Sequence, residues 1–346
     1  PFLEGSVFDG IEVSNFTDHR YIDHDHRDAA GQDLFGKPNY TGNHGTHVAS
    51  TVLAYAPGAR IINLKVLDEE VSGDIPPELT HDNMMTVASI KNGLQNVYEH
   101  NKALAEGRKS GSKIDMVSMS LGILGSAAAL DSANPDELSA WVNKLTRQGV
   151  VVVVAAGNEG ANNLRRPALA PEAITVGAVD YFDRITEFSS SISVLDPLQG
   201  TVDEKPDVWA YGHNVDAAKF DPNTKYSQSP PGSLSARMSG TSMATPHVAG
   251  MTLLLMQEAR RNGVELSAAQ VKGILKETAS PIANGNAFAR SLVPLRLPMT
   301  KAISALLELM TDRMSAAAPS SCWVKSVRLW SSRSPKSVAL SSFKRC

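Results

Sequence analysis

The sequence predicts an α/β protein of three layers, α/β/α, built around a mostly parallel central sheet. Short apolar runs rich in valine and isoleucine recur along the chain: Ile61 to Leu67, Met116 to Met119, Val150 to Ala155 and Ile174 to Val179. A strand with one wet face alternates polar and apolar residues. These runs do not alternate, so both of their faces must be covered, as in a parallel sheet. Segments of helical spacing lie between them, and 346 residues that are 42% hydrophobic and 20% charged suffice for a large core.

Taken in order, the block Asn43-His44-Gly45-Thr46-His47-Val48-Ala49 reads as helical, and Ala56-Pro57-Gly58-Ala59 leads into the run from Ile61. Thr86 to about Ala105 is a second helix, followed by the polar loop Glu106 to Gly111. After the strand at Met116, Asn134-Pro135-Asp136-Glu137 offers an N-cap, a first-turn proline and acidic residues for the positive helix end. Leu138, Trp141, Val142 and Leu145 continue at helical spacing and Gly149 ends the segment. Past Ser242, Val248, Met251, Thr252, Leu255 and Met256 mark a buried helix that runs to Gly263. Ser267 and Gln270 form a capping box ahead of Val271, Ile274 and Leu275.

A net charge of -3 gives no electrostatic reason to bind nucleic acid or an anionic membrane. The longest wholly apolar run, Val150 to Ala156, is far shorter than the roughly 18 residues of a membrane-spanning helix. Both cysteines, Cys322 and Cys346, lie in the final stretch and cannot staple the rest of the chain internally. The chain opens on Pro1 without a charged and apolar leader, so any signal peptide or prosegment is expected outside this sequence. From Arg313 onward no acidic residue occurs and Ser, Lys and Arg dominate. The expected organisation is a folded domain over 1–290 and an atypical basic, Ser-rich tail over 291–346.

Chemistry concentrates in three places. Gly240-Thr241-Ser242-Met243-Ala244-Thr245-Pro246-His247 sets a serine at a glycine turn before an apolar helix. A serine hydroxyl is a weak nucleophile near neutral pH and needs a histidine base oriented by a carboxylate. His44 supplies the base, and Val154-Ala155-Ala156-Gly157-Asn158-Glu159-Gly160 supplies an amide able to donate to an oxyanion. In this order the three segments resemble the subtilisin-like serine proteases. Met119-Ser120-Leu121-Gly122, Ile174-Thr175-Val176-Gly177-Ala178 and Lys205-Pro206-Asp207-Val208 extend the similarity over about residues 7 to 280.

The resemblance implies a subtilisin-like fold and a serine endopeptidase with Asp9, His44 and Ser242 as triad and Asn158 in the oxyanion hole. Ser120, Leu121 and Gly122 would pair with an extended substrate. Asp9 sits in Val7-Phe8-Asp9-Gly10-Ile11, one residue short of the family's Asp-Ser/Thr-Gly pattern. Arg165 and Arg166 lie in the segment that by resemblance closes the pocket for the side chain before the scissile bond. An inward arginine would favour acidic side chains; otherwise both are exposed loop residues. His47 and His247 read as structural. The chemistry needs no cofactor and no metal site is assigned: His and Asp alternate between Asp18 and Asp28 without a closing ligand set, while the family makes a structural calcium conceivable. A polypeptide substrate, a monomer, and an extracellular or secretory location complete the expectation. The alternative is an inactive or impaired relative that binds peptides without efficient turnover.

Overall fold

The computed structural model describes residues 43–62, 64, 66, 87–124, 136–195, 202–218, 233–282 and 290–292. The chain divides into two units, Pro1–Leu306 and Leu307–Cys346, and every described residue belongs to the first.

Helix α1 (Asn43–Tyr55) and helix α2 (Val87–Ala105) precede strands β1 (Met116–Met119) and β2 (Ile123–Leu124). Helix α3 (Glu137–Arg147) leads to β3 (Val151–Ala155), β4 (Arg165–Arg166), β5 (Ile174–Val179), β6 (Ile192–Leu195) and β7 (Val202–Lys205). Strands β8 (Val208–Tyr211), β9 (Val215–Ala218) and β10 (Ser235–Met238) come before helix α4 (Thr241–Arg261) and helix α5 (Ala268–Thr278). Two short strands, β11 (Ser280–Pro281) and β12 (Arg290–Ser291), close the described part.

The central sheet has the order β1-β3-β5-β8-β12-β11, parallel except for β11 against β12. Every residue of β3 and β5 is buried, as their unbroken apolar runs predict. Val150, Val152 and Val154 pack with Ile90, Leu94 and Val97 of α2 and with Leu138, Val142 and Leu145 of α3. The pleat sends Val151 and Val153 to the opposite face, where α4 runs against β1, β3, β5 and β8. Helices thus cover both faces of a mostly parallel sheet, the three-layer α/β/α arrangement that the sequence predicts.

Local differences have physical causes. The N-cap of α3 is Asp136, two residues beyond Asn134, because its carboxylate accepts from the amides of Leu138 (3.0 Å) and Ser139 (3.3 Å). Ser267 and Gln270 make the expected reciprocal capping box on α5. The run Ile61 to Leu67 falls mostly outside the described residues, although Leu64 and Val66 pack against the core. Ser291 pairs with Trp209 and Leu292 is buried, so the sheet runs across the 290/291 boundary; the remainder of the tail lies outside the described residues.

Candidate active site

In a parallel sheet the strands deliver their C-terminal ends to one edge, where ligand sites form. Here β1 continues into Ser120-Leu121-Gly122, β3 into Ala156-Gly157-Asn158, and the N-terminus of α4 meets both. Ser242 is the second residue of α4 and is half-buried. Four residues on, Pro246 has no N–H, so the Ser242 carbonyl loses the helical donor it would otherwise receive. Ser120 replaces that donor: its Oγ donates to the Ser242 carbonyl at 2.7 Å, and Ser242 Oγ donates to the Ser120 carbonyl at 3.1 Å.

Asn158 stands exposed where β3 ends, and one end of its amide is fixed. Its Oδ1 accepts from Thr241 N at 2.9 Å and from Thr241 Oγ1 at 3.0 Å. Since Oδ1 is engaged there, Nδ2 is the group that Asn158 can offer to a ligand beside Ser242. Thr241 is fully buried, and its hydroxyl also bonds with the Gly157 N–H (3.1 Å). Sequence reasoning passed over Thr241, whose only signal is its place between Gly240 and Ser242.

Glu159 and Arg165 form a second unpredicted feature. Glu159 Oε1 accepts from Arg165 Nε (2.8 Å) and Nη2 (2.6 Å), while Oε2 accepts from the Asn158 backbone N–H (2.9 Å) and from Ser190 Oγ (3.3 Å). Arg165 Nη1 donates to the Gly122 carbonyl at 3.0 Å. Arg165 is therefore neither a surface arginine nor an unbalanced cation. An ion pair between a loop residue and a strand residue six positions on carries no periodic signal, which is why the sequence did not reveal this one.

Ser120, Leu121 and Gly122 lie beside Ser242 as expected, but they differ in role. Leu121 packs against the α2–α3 core, so only its backbone is offered to the cleft. A side chain at Gly122 would sit 2.7 Å from Arg165 Cβ, which accounts for glycine there.

His44 is exposed in the first turn of α1. That helix is anchored through His47, fully buried, whose Nε2 donates to the carbonyls of Val215 (3.0 Å) and Ala236 (3.1 Å). Burial, outweighing those bonds, lowers the His47 pKa. At the other end Tyr55 OH bonds with His247 Nδ1 at 3.0 Å, and Tyr55 lies over Gly250, where any side chain would sit 2.6 Å from Tyr55 Cβ. Burial and then the neighbouring His47 push His247 down to about 4, and burial pushes Tyr55 up to about 12. Both histidines thus act as packed, neutral groups. Asp9 lies outside the described residues, as does the Asp18 to Asp28 stretch. Among the described residues no group of three or more His, Cys, Asp or Glu is placed to hold a metal.

A buried ionic cluster underlies the sheet at Lys205-Pro206-Asp207. Lys205 Nζ donates to Asp207 Oδ2 (2.7 Å) and to the carbonyls of Ala170 and Ala173, while Lys272 Nζ lies 2.8 Å from Asp207 Oδ1. Burial alone would raise the Asp207 carboxyl, but the two ammonium groups outweigh it and hold it at about 2.

Residues 10–308 match the model of the Subtilase family of peptidases. The chain belongs to the subtilase family. This subtilase is 32% identical to M-protease of Shouchella clausii (strain KSM-K16) over 259 residues, 72% of this chain and 53% of the relative. It is 31% identical to Subtilisin Savinase of Lederbergia lenta over 72% of this chain and 75% of that protein. The subtilase chain thus spans about half the length of some of the curated relatives it matches. Among solved structures its fold is similar to the protease domain of the PatA S218A mutant, with TM-score 0.56 and 24% identity over 80% of this chain and 84% of that one. A cold-adapted subtilisin-like serine proteinase gives TM-score 0.51 and 23% identity over 85% and 84%. Among the described residues of the subtilase no helix is long and apolar enough to cross a membrane.

Proposed function

We propose that this subtilase is a serine endopeptidase that cleaves polypeptides through an acyl-enzyme intermediate. The observation that carries the reading is the Asn158–Thr241 arrangement: an amide with its oxygen tied down stands next to a serine at a helix N-terminus. In this reading His44 takes the Ser242 proton during attack on the peptide carbonyl and returns it to the leaving amine. Asp9 holds the correct tautomer of His44. The developing oxyanion is met by Asn158 Nδ2 and the Ser242 N–H, with the positive end of α4 behind them. The backbone of Ser120 to Gly122 pairs with the extended substrate, so that affinity depends little on side chains. No step requires a metal or cofactor. The enzyme acts as a monomer, outside the cell or in the secretory pathway, where the tripeptides Asn15-Phe16-Thr17 and Asn39-Tyr40-Thr41 would be open to glycosylation.

The test is labelling of the purified chain with a fluorophosphonate probe, with the modified residue located by peptide mass analysis. Label on Ser242 that is lost in Ser242→Ala and much slowed in Asp9→Asn supports the full triad. A folded chain that stays unlabelled overturns the reading in favour of a peptide-binding relative without turnover.

A further inference from the structure

The proposed base and nucleophile stand on different elements, His44 on α1 and Ser242 on α4, so their separation depends on what holds those helices in place. At one end the hold is close packing. A side chain at Gly250 of α4 would meet Tyr55 Cβ at 2.6 Å and the Val52 carbonyl at 3.0 Å, and Tyr55 OH bonds with His247 Nδ1. His44 lies in the first turn of α1, about 16 Å along the axis from Tyr55. A tilt of about 5° about the Tyr55 contact would carry His44 by about 1.4 Å. Misplacement of that order costs about a hundredfold in rate.

Packing at Gly250 therefore does not fix His44, and a second hold is needed nearer to it. His47, one turn further along α1, provides one. Its ring is fully buried, and Nε2 meets two carbonyls, Val215 at 3.0 Å and Ala236 at 3.1 Å. Carbonyls only accept, so Nε2 carries the proton and shares it between β9 and β10. The other ring nitrogen, Nδ1, is buried without a partner. An apolar side chain would fill this space and leave no orphaned nitrogen, so what the imidazole adds here is its N–H. Ser50, three residues further along α1 than His47 and on the same face, accepts from the Ala218 N–H of β9 at 3.0 Å.

The ribbon that receives the N–H is continuous with the nucleophile. From Ala236 the chain runs through Gly240 into the first turn of α4. Asn214 N donates to Ser239 Oγ at 2.8 Å, and Gly240 N donates to the Gly212 carbonyl at 2.8 Å, which locks the end of the ribbon to that turn. A continuous path thus leads from His44 through His47 and Ala236 to Ser242.

We propose that His47 is a positioning residue: the N–H it shares between β9 and β10 sets the distance from His44 to Ser242. This rests on the peptidase reading. The segment proposed to pair with substrate, Ser120 to Gly122, continues from β1 and takes no part in the tie. Loss of the N–H therefore acts on the chemical step and leaves substrate binding in place.

The experiment compares the wild type with His47→Leu, which has no donor, and His47→Gln, whose side-chain nitrogen is as many bonds from Cα as Nε2 is. Urea midpoints establish that each protein is folded, and His47→Met is a second variant without a donor if His47→Leu folds poorly. Steady-state kinetics use a fluorogenic peptide copied from a site that the wild type cleaves in casein. In His47→Leu, kcat should fall between about tenfold and a hundredfold while KM stays within about twofold. His47→Gln should return kcat to within about threefold of the wild type. A folded His47→Leu with kcat within about twofold of the wild type overturns this inference, as does a folded His47→Gln no faster than His47→Leu. Unfolding of both variants without a donor assigns His47 to the fold as a whole and overturns it too. A wild type that neither cleaves casein nor takes a fluorophosphonate label overturns the peptidase reading, and this inference with it.

Discussion

Ser120 and Ser242 hydrogen-bond each other in both directions, each hydroxyl donating to the other's carbonyl, at 2.7 and 3.1 Å. The exchange ties the helix that carries the candidate nucleophile to the strand proposed to receive the substrate. Ser120→Ala removes the donor to the Ser242 carbonyl, and the expected stability loss is about 1 kcal/mol. The kcat/KM for a peptide is expected to fall about tenfold, because the first turn of α4 loses one of its two ties to the strand while the Ser242 hydroxyl keeps its bond to the Ser120 carbonyl. Pro246→Ala supplies a helical amide to that same carbonyl. In its background Ser120→Ala should cost less, and a double-mutant cycle by urea denaturation reads the coupling.

Thr241 donates to Asn158 through both its amide and its hydroxyl. Thr241→Val keeps the shape and the backbone N–H bond to Asn158 Oδ1 but removes the hydroxyl, which leaves the Asn158 side chain held by one bond instead of two. The expected outcome is a lower kcat with little change in KM. The drop should be smaller than that of Asn158→Leu, for which the loss of such a donor in a subtilisin, about 2.7–4 kcal/mol, is carried over. Steady-state kinetics of the two variants side by side checks the order.

Asp207 is the anion at which Lys205 and Lys272 meet. Asp207→Asn leaves Lys205, Lys272 and Lys276 without their shared carboxylate, the Lys205 side chain being only 10% exposed, and is expected to destabilise the fold by about 3–5 kcal/mol. The double variant Asp207→Asn with Lys205→Met removes the deeper stranded cation and should recover part of the loss. Urea midpoints of the three proteins test this, with no peptide assay needed.

His247 carries a pH dependence whose sign follows from its position. Its pKa in the folded chain is about 4, against 6.5 when free, so below pH 6.5 the unfolded chain takes a proton that the folded chain refuses. Stability is therefore complete above about pH 6.5 and declines as the pH falls towards 4, by an order-of-magnitude total of about 3 kcal/mol. The groups facing it are Tyr55, Tyr211 and His47; His47, also lowered by burial, adds in the same direction. His247→Phe should flatten the fall in urea midpoint between pH 7 and pH 4.5.

The sheet was legible where strands are apolar on both faces. Met116 to Met119, Val150 to Ala155 and Ile174 to Val179 announce themselves because nothing polar interrupts them. Strand β8 did not, since Val208-Trp209-Ala210-Tyr211 is short and follows a charged, proline-containing segment. The β9–β10 pair is four residues per strand, with Asp216 and Arg237 facing across it, and offers no apolar alternation. In the site, Ser242, Asn158, Ser120 and Gly122 were readable as motif residues. Thr241 and Glu159 were not, and Arg165 was readable only as a residue of the segment that closes the pocket by resemblance, not as the partner of Glu159, because what they do depends on partners far along the chain or on local geometry that carries no period.

The hydrogen bonds that assemble the site span long stretches of chain. Ser120 reaches across 122 residues to Ser242, Thr241 across 83 to Asn158, and His47 across 168 to Val215. None can form until the sheet between them has closed, and contacts of such separation form slowly. On the proposed peptidase reading, cleaving ability therefore arrives at the end of folding, and the chain passes through its vulnerable, unfolded stages without yet being able to cut its own copies.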